Sequence, residues 1–385
     1  MSLLRDKLFS MVALSHFAVD TLNGQRSVLF VYLAALMGLN NAQLGLFSTL
    51  YILVAATMQP LLGYLADRTG SRWAIAGGTL WIGIFYSLGL LAEGTTSLGF
   101  IVIASLGSGA FHPAGTMQAT LVGRSRFEGR ETTSSSYFFL FGQAGLFFGP
   151  LLGGFLLQRQ GTQGLLWLST FVILVGLLGF VRLDPRRMYQ GRETDNPEAL
   201  LKRYHPSVGT WLAFGLLATC QSWVSQNMVL FLPKMLSDLG QSPEVYGVLS
   251  STFVAGGATG LVLGGVLADR FGKRRVAAGM LTLAIGPLVL IPMLGFSPWL
   301  YVIVPLAGVF TGSTHSIVVV LAQRYIPGGM AMASGLILGF IFASGAVGVL
   351  LSGYLADVWG VISIFWMTAG LALVAALMAL SLEPS

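Results

Sequence analysis

Gly63-Tyr64-Leu65-Ala66-Asp67-Arg68-Thr69-Gly70-Ser71-Arg72 and Gly265-Val266-Leu267-Ala268-Asp269-Arg270-Phe271-Gly272-Lys273-Arg274 share one pattern, Gly-x-Leu-Ala-Asp-Arg-x-Gly-x-Arg, at an offset of 202. Each copy joins the end of one apolar stretch to the start of the next. Further matches run outward from them at nearly the same offset. Val28-Leu29-Phe30 corresponds to Val229-Leu230-Phe231, Gly45 to Gly247, and Gly109-Ala110-Phe111-His112 to Gly312-Ser313-Thr314-His315. The chain is therefore read as two parallel copies of one unit. Parallel repeats in a membrane predict a binding site at the midplane between them, with rocking of one copy on the other alternating access to it.

Composition places both copies in a membrane. Of 385 residues 55% are hydrophobic and 9% charged, against roughly a quarter charged in a soluble domain, which excludes a soluble enzyme. The 50 glycines follow no three-residue repeat, and with 25 phenylalanines they exclude a collagen-like or disordered chain. The lone Cys220 can form no internal disulfide, and no cysteine cluster is present for a metal. The formal charge of +6 sits on no soluble basic domain, so nucleic acid is not an expected partner.

A span needs about 20 mostly apolar residues. Twelve are predicted, at 8–37, 42–66, 73–92, 98–122, 133–157, 164–181, 208–236, 244–268, 274–295, 298–322, 330–356 and 361–380. The first is too long for a signal-peptide core and lacks a small-residue cleavage site, so it is kept as a span. The expected fold is all-α, with a six-helix bundle over 1–181, a polar linker over 182–207 and a second six-helix bundle over 208–385. Assigning the N-terminus and every even-to-odd connection to one side collects 18 of the 21 Lys and Arg there, leaving Arg26, Arg159 and Lys234. By the positive-inside rule both termini and the linker are cytoplasmic, and the expected location is the inner membrane.

The twin Gly-x-Leu-Ala-Asp-Arg-x-Gly-x-Arg loops, with the duplicated six-span unit, resemble the major facilitator superfamily over about residues 8–380. The resemblance implies two six-helix bundles and alternating access. Asp67 and Asp269 can cap or pair at helix ends while Arg68, Arg72, Arg270 and Arg274 hold the cytoplasmic side closed. In span five, Gly145-Leu146-Phe147-Phe148-Gly149-Pro150-Leu151-Leu152-Gly153-Gly154 fits a Gly-x-x-x-Gly-Pro-x-x-Gly-Gly motif that in this superfamily marks proton-coupled exporters. Glycines at that spacing also allow close helix packing, and Pro150 bends the span.

Ionisable groups inside spans are costly and default to functional readings. His16, His112 and His315 fall in spans one, four and ten, which with span seven line the cavity in the family resembled. His16, Asp20, Asn23 and Ser27 share one helical face. A buried carboxylate beside an imidazole can exchange a proton near neutral pH, so Asp20 and His16 are the expected proton carriers. The plainer alternative is a static pair that fixes helix packing. Arg26 either neutralises Asp20 or binds an anionic group of the substrate. His112, with Pro113 loosening its helix, and His315 at the matched position are expected to flank the substrate. Gln221, Trp223, Gln226 and Asn227 of span seven add uncharged contacts; the offset sets Gln221 against Asp20 and Asn227 against Arg26. Ligands on three different spans have no diagnostic spacing, so no metal is expected.

Ser15-His16-Phe17-Ala18-Val19-Asp20, with Gly107-x-Gly-x-Phe111-His112-Pro113, resembles the fosmidomycin-resistance branch of the superfamily, a drug:proton antiporter branch. That implies proton-driven expulsion of a small organic, anionic compound. The chain departs at Ala114, where the resemblance leads one to expect an acid in many relatives, so Asp20 and the histidines would have to suffice for coupling. No Walker loop and no hydrolytic constellation is present, so neither an enzyme nor a cofactor is expected. The expected partners are a small-molecule substrate, protons and the lipid bilayer, with the chain monomeric. The alternatives are uptake of an organic acid by proton symport, and a receptor or scaffold that has lost transport.

Overall fold

A computed structural model of the chain describes residues 3–126, 131–184, 207–325 and 330–382. Among them there are twelve α-helices and no strand: α1 Lys7–Met37, α2 Asn41–Thr69, α3 Gly78–Leu91, α4 Gly94–Arg126, α5 Glu131–Gln160, α6 Leu166–Arg182, α7 Val208–Asp238, α8 Pro243–Phe271, α9 Lys273–Leu294, α10 Leu300–Tyr325, α11 Met330–Trp359 and α12 Val361–Leu380. Each predicted span coincides with one helix, ends differing by a few residues. Span three is the exception in form, because Trp73–Gly77 is wound as a π turn before α3 begins. The linker expected over 182–207 falls mostly on residues 185–206, outside the described residues.

Nine stretches among the described residues are apolar and long enough to cross a membrane, one of them covering α5 and α6 together. The two helices left out are α1 and α7, which carry most of the polar residues singled out from the sequence. Most residues of both are buried inside the protein, so polar groups are tolerated there.

The middle helix of each successive set of three ends alike. Helices α2, α5, α8 and α11 are followed by Gly70, Gly161, Gly272 and Gly360, at φ of 100°, 60°, 88° and 81°. A left-handed residue that closes a helix is one that only glycine adopts without cost, which accounts for the second glycine of the repeated loop.

Residue contacts sort into two compact units. The first comprises Met1–Met37, Leu50–Arg192 and Ser242–Ser251, and the second Gly38–Thr49, Glu193–Gln241 and Thr252–Ser385. In the first unit α1 packs chiefly on α5. A methyl group at Gly24 would lie 2.7 Å from the Leu146 carbonyl oxygen, and one at Gly145 2.5 Å from that of Phe17. Such spacing is possible only where both backbones are bare of side chains. In the second unit α8 and α10 interlock in the same way, Gly256, Gly260 and Gly264 abutting the carbonyls of Pro305, Val309 and Ser313.

Candidate functional site

The α1/α5 seam buries a cluster of ionisable groups. Asp20 is 6% exposed and His16 2%. The His16 Nε2 stands 3.1 Å from Asp20 Oδ2, one helical turn along α1. From α4, His112 Nε2 stands 3.3 Å from the other carboxylate oxygen, Oδ1. Each ring is fixed from behind. His16 Nδ1 donates to the Phe138 carbonyl of α5 at 2.8 Å, and His112 Nδ1 donates to the Ser108 carbonyl at 2.8 Å. With both Nδ1 positions donating to carbonyls, both Nε2 atoms face the carboxylate. Gly142 of α5 closes the cluster: a methyl there would overlap the His16 ring and come within 2.8 Å of Asp20 Oδ2. The three ligand atoms also lie within 4.8 Å of one another, so the cluster could hold a metal ion. Asn23 Nδ2 also donates to Asp20 Oδ1, at 2.8 Å.

Arg26 lies beyond this cluster on the same helix. It is 8% exposed, and its guanidinium carbon lies over an aromatic face, 4.7 Å from the centre of the Tyr51 ring of α2. Its Nε is buried with no hydrogen-bond partner. Of the two expectations for Arg26, pairing with Asp20 is not what the structure shows, since Asp20 is engaged by His16, His112 and Asn23. Tyr51 instead donates its hydroxyl hydrogen to Asn23 Oδ1 at 2.6 Å. Next to Arg26, Gln25 is held by the Tyr86 hydroxyl at 2.6 Å. Among the described residues this buried guanidinium has no carboxylate partner.

The polar residues of α7 belong to the second unit. The Trp223 indole N–H donates to Ser352 Oγ of α11 at 2.8 Å, and Asn227 Nδ2 donates to Thr368 Oγ1 of α12 at 3.0 Å. Gln221 Oε1 and Asn227 Oδ1 are buried without a hydrogen-bond partner. Gln226 and His315 are partly exposed. Ala114, where an acid was expected from the relatives, is 2% exposed and packed.

A profile of the Major Facilitator Superfamily matches residues 8–233 and again 212–385, the two matches together spanning nearly the whole chain. The chain belongs to the major facilitator superfamily. It is a multi-pass membrane transporter, not an enzyme. Among relatives of this superfamily, the fosmidomycin resistance protein of Escherichia coli is 26% identical over 363 residues, covering 90% of this chain and 85% of that one. The gentisate transporter of Corynebacterium glutamicum is 26% identical over 371 residues, covering 90% of this chain and 80% of that one. In fold, the chain is similar to a solved bacterial homologue of the human lysosomal transporter Spinster, with a TM-score of 0.78 at 16% identity, over 97% of this chain and 94% of that one.

The superfamily loops are placed only in part. The side chains of Asp67 and Asp269 lie outside the described residues. Arg72 donates to the Phe180 carbonyl of α6 and lies 5.5 Å from the centre of the same ring. Arg68 and Arg270 lie over Tyr64 and Phe271 of their own helices, at 4.5 and 5.2 Å, and Arg274 is half-buried. The span-five glycines have a definite place. Gly145, Gly149 and Gly153 face Phe17, Thr21 and Gln25 of α1, so the motif brings the polar face of α1 against α5. Gly154, beyond Pro150, abuts the Pro243 carbonyl at the start of α8.

Two residues with defined roles were missed in the sequence. Tyr51 looked like one aromatic among many, and nothing in its neighbours along the chain pointed to Arg26. Asp357 did carry a signal: Gly353-Tyr354-Leu355-Ala356-Asp357 is a third copy of the Gly-x-Leu-Ala-Asp pattern, at the end of α11. Its two carboxylate oxygens accept from the backbone N–H groups of Asn41 and Ala42 at 2.7 and 2.8 Å, capping α2.

Proposed function

We propose that the protein is a proton-coupled secondary transporter, working by alternating access, for a small organic anion. Arg26 binds the anionic group, and His16, Asp20 and His112 carry the proton. The observation behind this reading is a buried guanidinium without a carboxylate, two hydrogen-bonded side chains away from a buried carboxylate shared by two histidines. Gln221, Gln226, Asn227 and His315 supply further substrate contacts, the unpaired Gln221 Oε1 and Asn227 Oδ1 as acceptors. Trp223 adds apolar surface. The Asp67, Arg68, Arg72, Asp269, Arg270 and Arg274 loops latch the cytoplasmic face. The protein acts as a monomer in the inner membrane, with both termini in the cytoplasm, and binds neither nucleic acid nor a resident metal or cofactor.

Export by exchange with protons is the direction favoured by two relatives' names, fosmidomycin resistance protein and multidrug resistance protein. The structure supports a second reading, uptake by symport, through the sign of its charges. An anion at Arg26 holds protons on the neighbouring cluster more tightly, because opposite charges favour each other's presence. Joint loading is the condition for symport, so an exporter of anions needs a further element that makes the two loads exclusive.

Everted membrane vesicles carrying a lumenal pH dye separate these readings. Fosmidomycin or gentisate added outside makes the lumen alkaline if the exchange is antiport and acidic if it is symport, and Asp20→Asn abolishes either signal. An unchanged signal in Asp20→Asn would remove Asp20 from the mechanism.

A further inference from the structure

We infer that Asn23 and Tyr51 form a two-position relay that lets the protonation of the Asp20 cluster and the state of Arg26 sense one another. The inference rests on the reading of Arg26 and Asp20 as the two working charges. Its test below needs no substrate, so it can fail without that reading failing.

The relay is fully wired. Asn23 uses both amide hydrogens and its oxygen: Nδ2 donates to Asp20 Oδ1 at 2.8 Å and to Ser108 Oγ at 3.0 Å, while Oδ1 accepts the Tyr51 hydroxyl hydrogen at 2.6 Å. The Tyr51 ring, 3% exposed, carries the Arg26 guanidinium on its face at 4.7 Å. The ionisable groups facing the carboxylate are His16 from α1 and His112 from α4; α5 offers the bare Gly142. Beside Arg26 the ionisable groups are Tyr51 from α2 and Tyr86 from α3.

The Asn23 carboxamide has two arrangements. In the observed one its N–H donates to Asp20 Oδ1, a charge-assisted bond that is strongest while the carboxyl is ionised. A proton on the carboxyl removes that charge and weakens the bond, although the neutral acid keeps acceptor capacity. Turning the amide over then presents Asn23 Oδ1 to a carboxyl O–H, and Tyr51 faces Nδ2 and loses its acceptor. Its hydroxyl must swing to a different partner, and the ring under Arg26 moves with it. The same steps run backward: a ligand that draws Arg26 off the Tyr51 ring releases the phenol and biases the amide. Equilibrium coupling of this kind is reciprocal and typically amounts to a 5- to 150-fold change in affinity. The element with two states is the Asn23 carboxamide.

The test is a double-mutant cycle on the ligand-free full chain in lipid nanodiscs, read as the titration of the His16 and His112 ring signals by NMR in a His205→Gln, His315→Gln background. Arg26→Gln removes the charge at one end. The expected result is a shift in the cluster's titration midpoint by Arg26→Gln when Tyr51 is present, and less than about half that shift in Tyr51→Phe, which keeps the ring and loses only the hydroxyl. An equal shift in both backgrounds would mean that Arg26 acts directly through space and would overturn the relay. Asn23→Leu carries the same expectation as Tyr51→Phe, and it supplies the cycle if Tyr51→Phe does not fold.

Discussion

Asp20 holds three groups at once, two histidines and the Asn23 amide, in the space left by the bare backbone of Gly142. Its pairing with His16 was legible because a spacing of four places both on one helical face. The second histidine was not legible as a partner, since His112 lies 92 positions away and only the packing of α4 on α1 delivers its Nε2 to the same carboxylate. His112 was therefore expected at the substrate; the structure sets its Nε2 3.3 Å from Asp20 Oδ1, and in the proposed function it shares in carrying the proton. Arg26 was left with two possible neighbours in the sequence; the structure gives it Tyr51. Gly142 supplies the prediction at this scale. Gly142→Ala puts a methyl on the His16 ring and 2.8 Å from Asp20 Oδ2, and displacement of reacting groups by about 1 Å costs up to ~100-fold in rate. Proton-coupled flux in proteoliposomes is expected to fall by ~10-fold or more, with the protein still folded by size exclusion and thermal melting. Full flux in Gly142→Ala would show that the cluster needs no such tight fit.

Helix limits were legible to within a few residues because apolar run length fixes a span and glycine fixes its end. What escaped was the role of the small residues between helices. The glycines of α5 read as an exporter motif, with a packing face as the plainer alternative, and in the structure Gly145, Gly149 and Gly153 pack on α1. The N-terminal part of α2 shows a similar seam on α11. Thr49 donates to the Ala346 carbonyl at 2.7 Å, a methyl at Gly45 would sit 3.0 Å from the Val349 oxygen, and Asp357 caps the first turn. Asn40 and Gln43 add a reciprocal capping pair at 2.8 and 3.0 Å. Because that pair remains, Asp357→Ala is expected to cost about 1 kcal/mol, the usual value of one cap. A thermal melt in detergent should drop by a few degrees, and Asp357→Glu should recover part of it. No change in Asp357→Ala would mean that the cap is redundant with Asn40 and Gln43.

At the scale of the whole chain, the duplication was legible from two ten-residue strings, and the twofold match of the superfamily profile repeats it. The division of labour was legible only in outline. Aligning Asp20 with Gln221 and Arg26 with Asn227 predicted a charged half and a neutral half. The structure keeps the charged groups together in one unit and gives the other buried amide oxygens without partners. The central claim is that a buried carboxylate in the first unit links proton movement to anion movement. Its most direct test is purified protein in proteoliposomes, wild type against Asp20→Asn, with labelled gentisate or fosmidomycin and a lumenal pH dye read together. The account predicts that wild type accumulates or expels the anion in response to an imposed pH gradient, whereas Asp20→Asn still exchanges labelled for unlabelled anion but no longer responds to the gradient. Gradient-driven anion movement that survives in Asp20→Asn would contradict it.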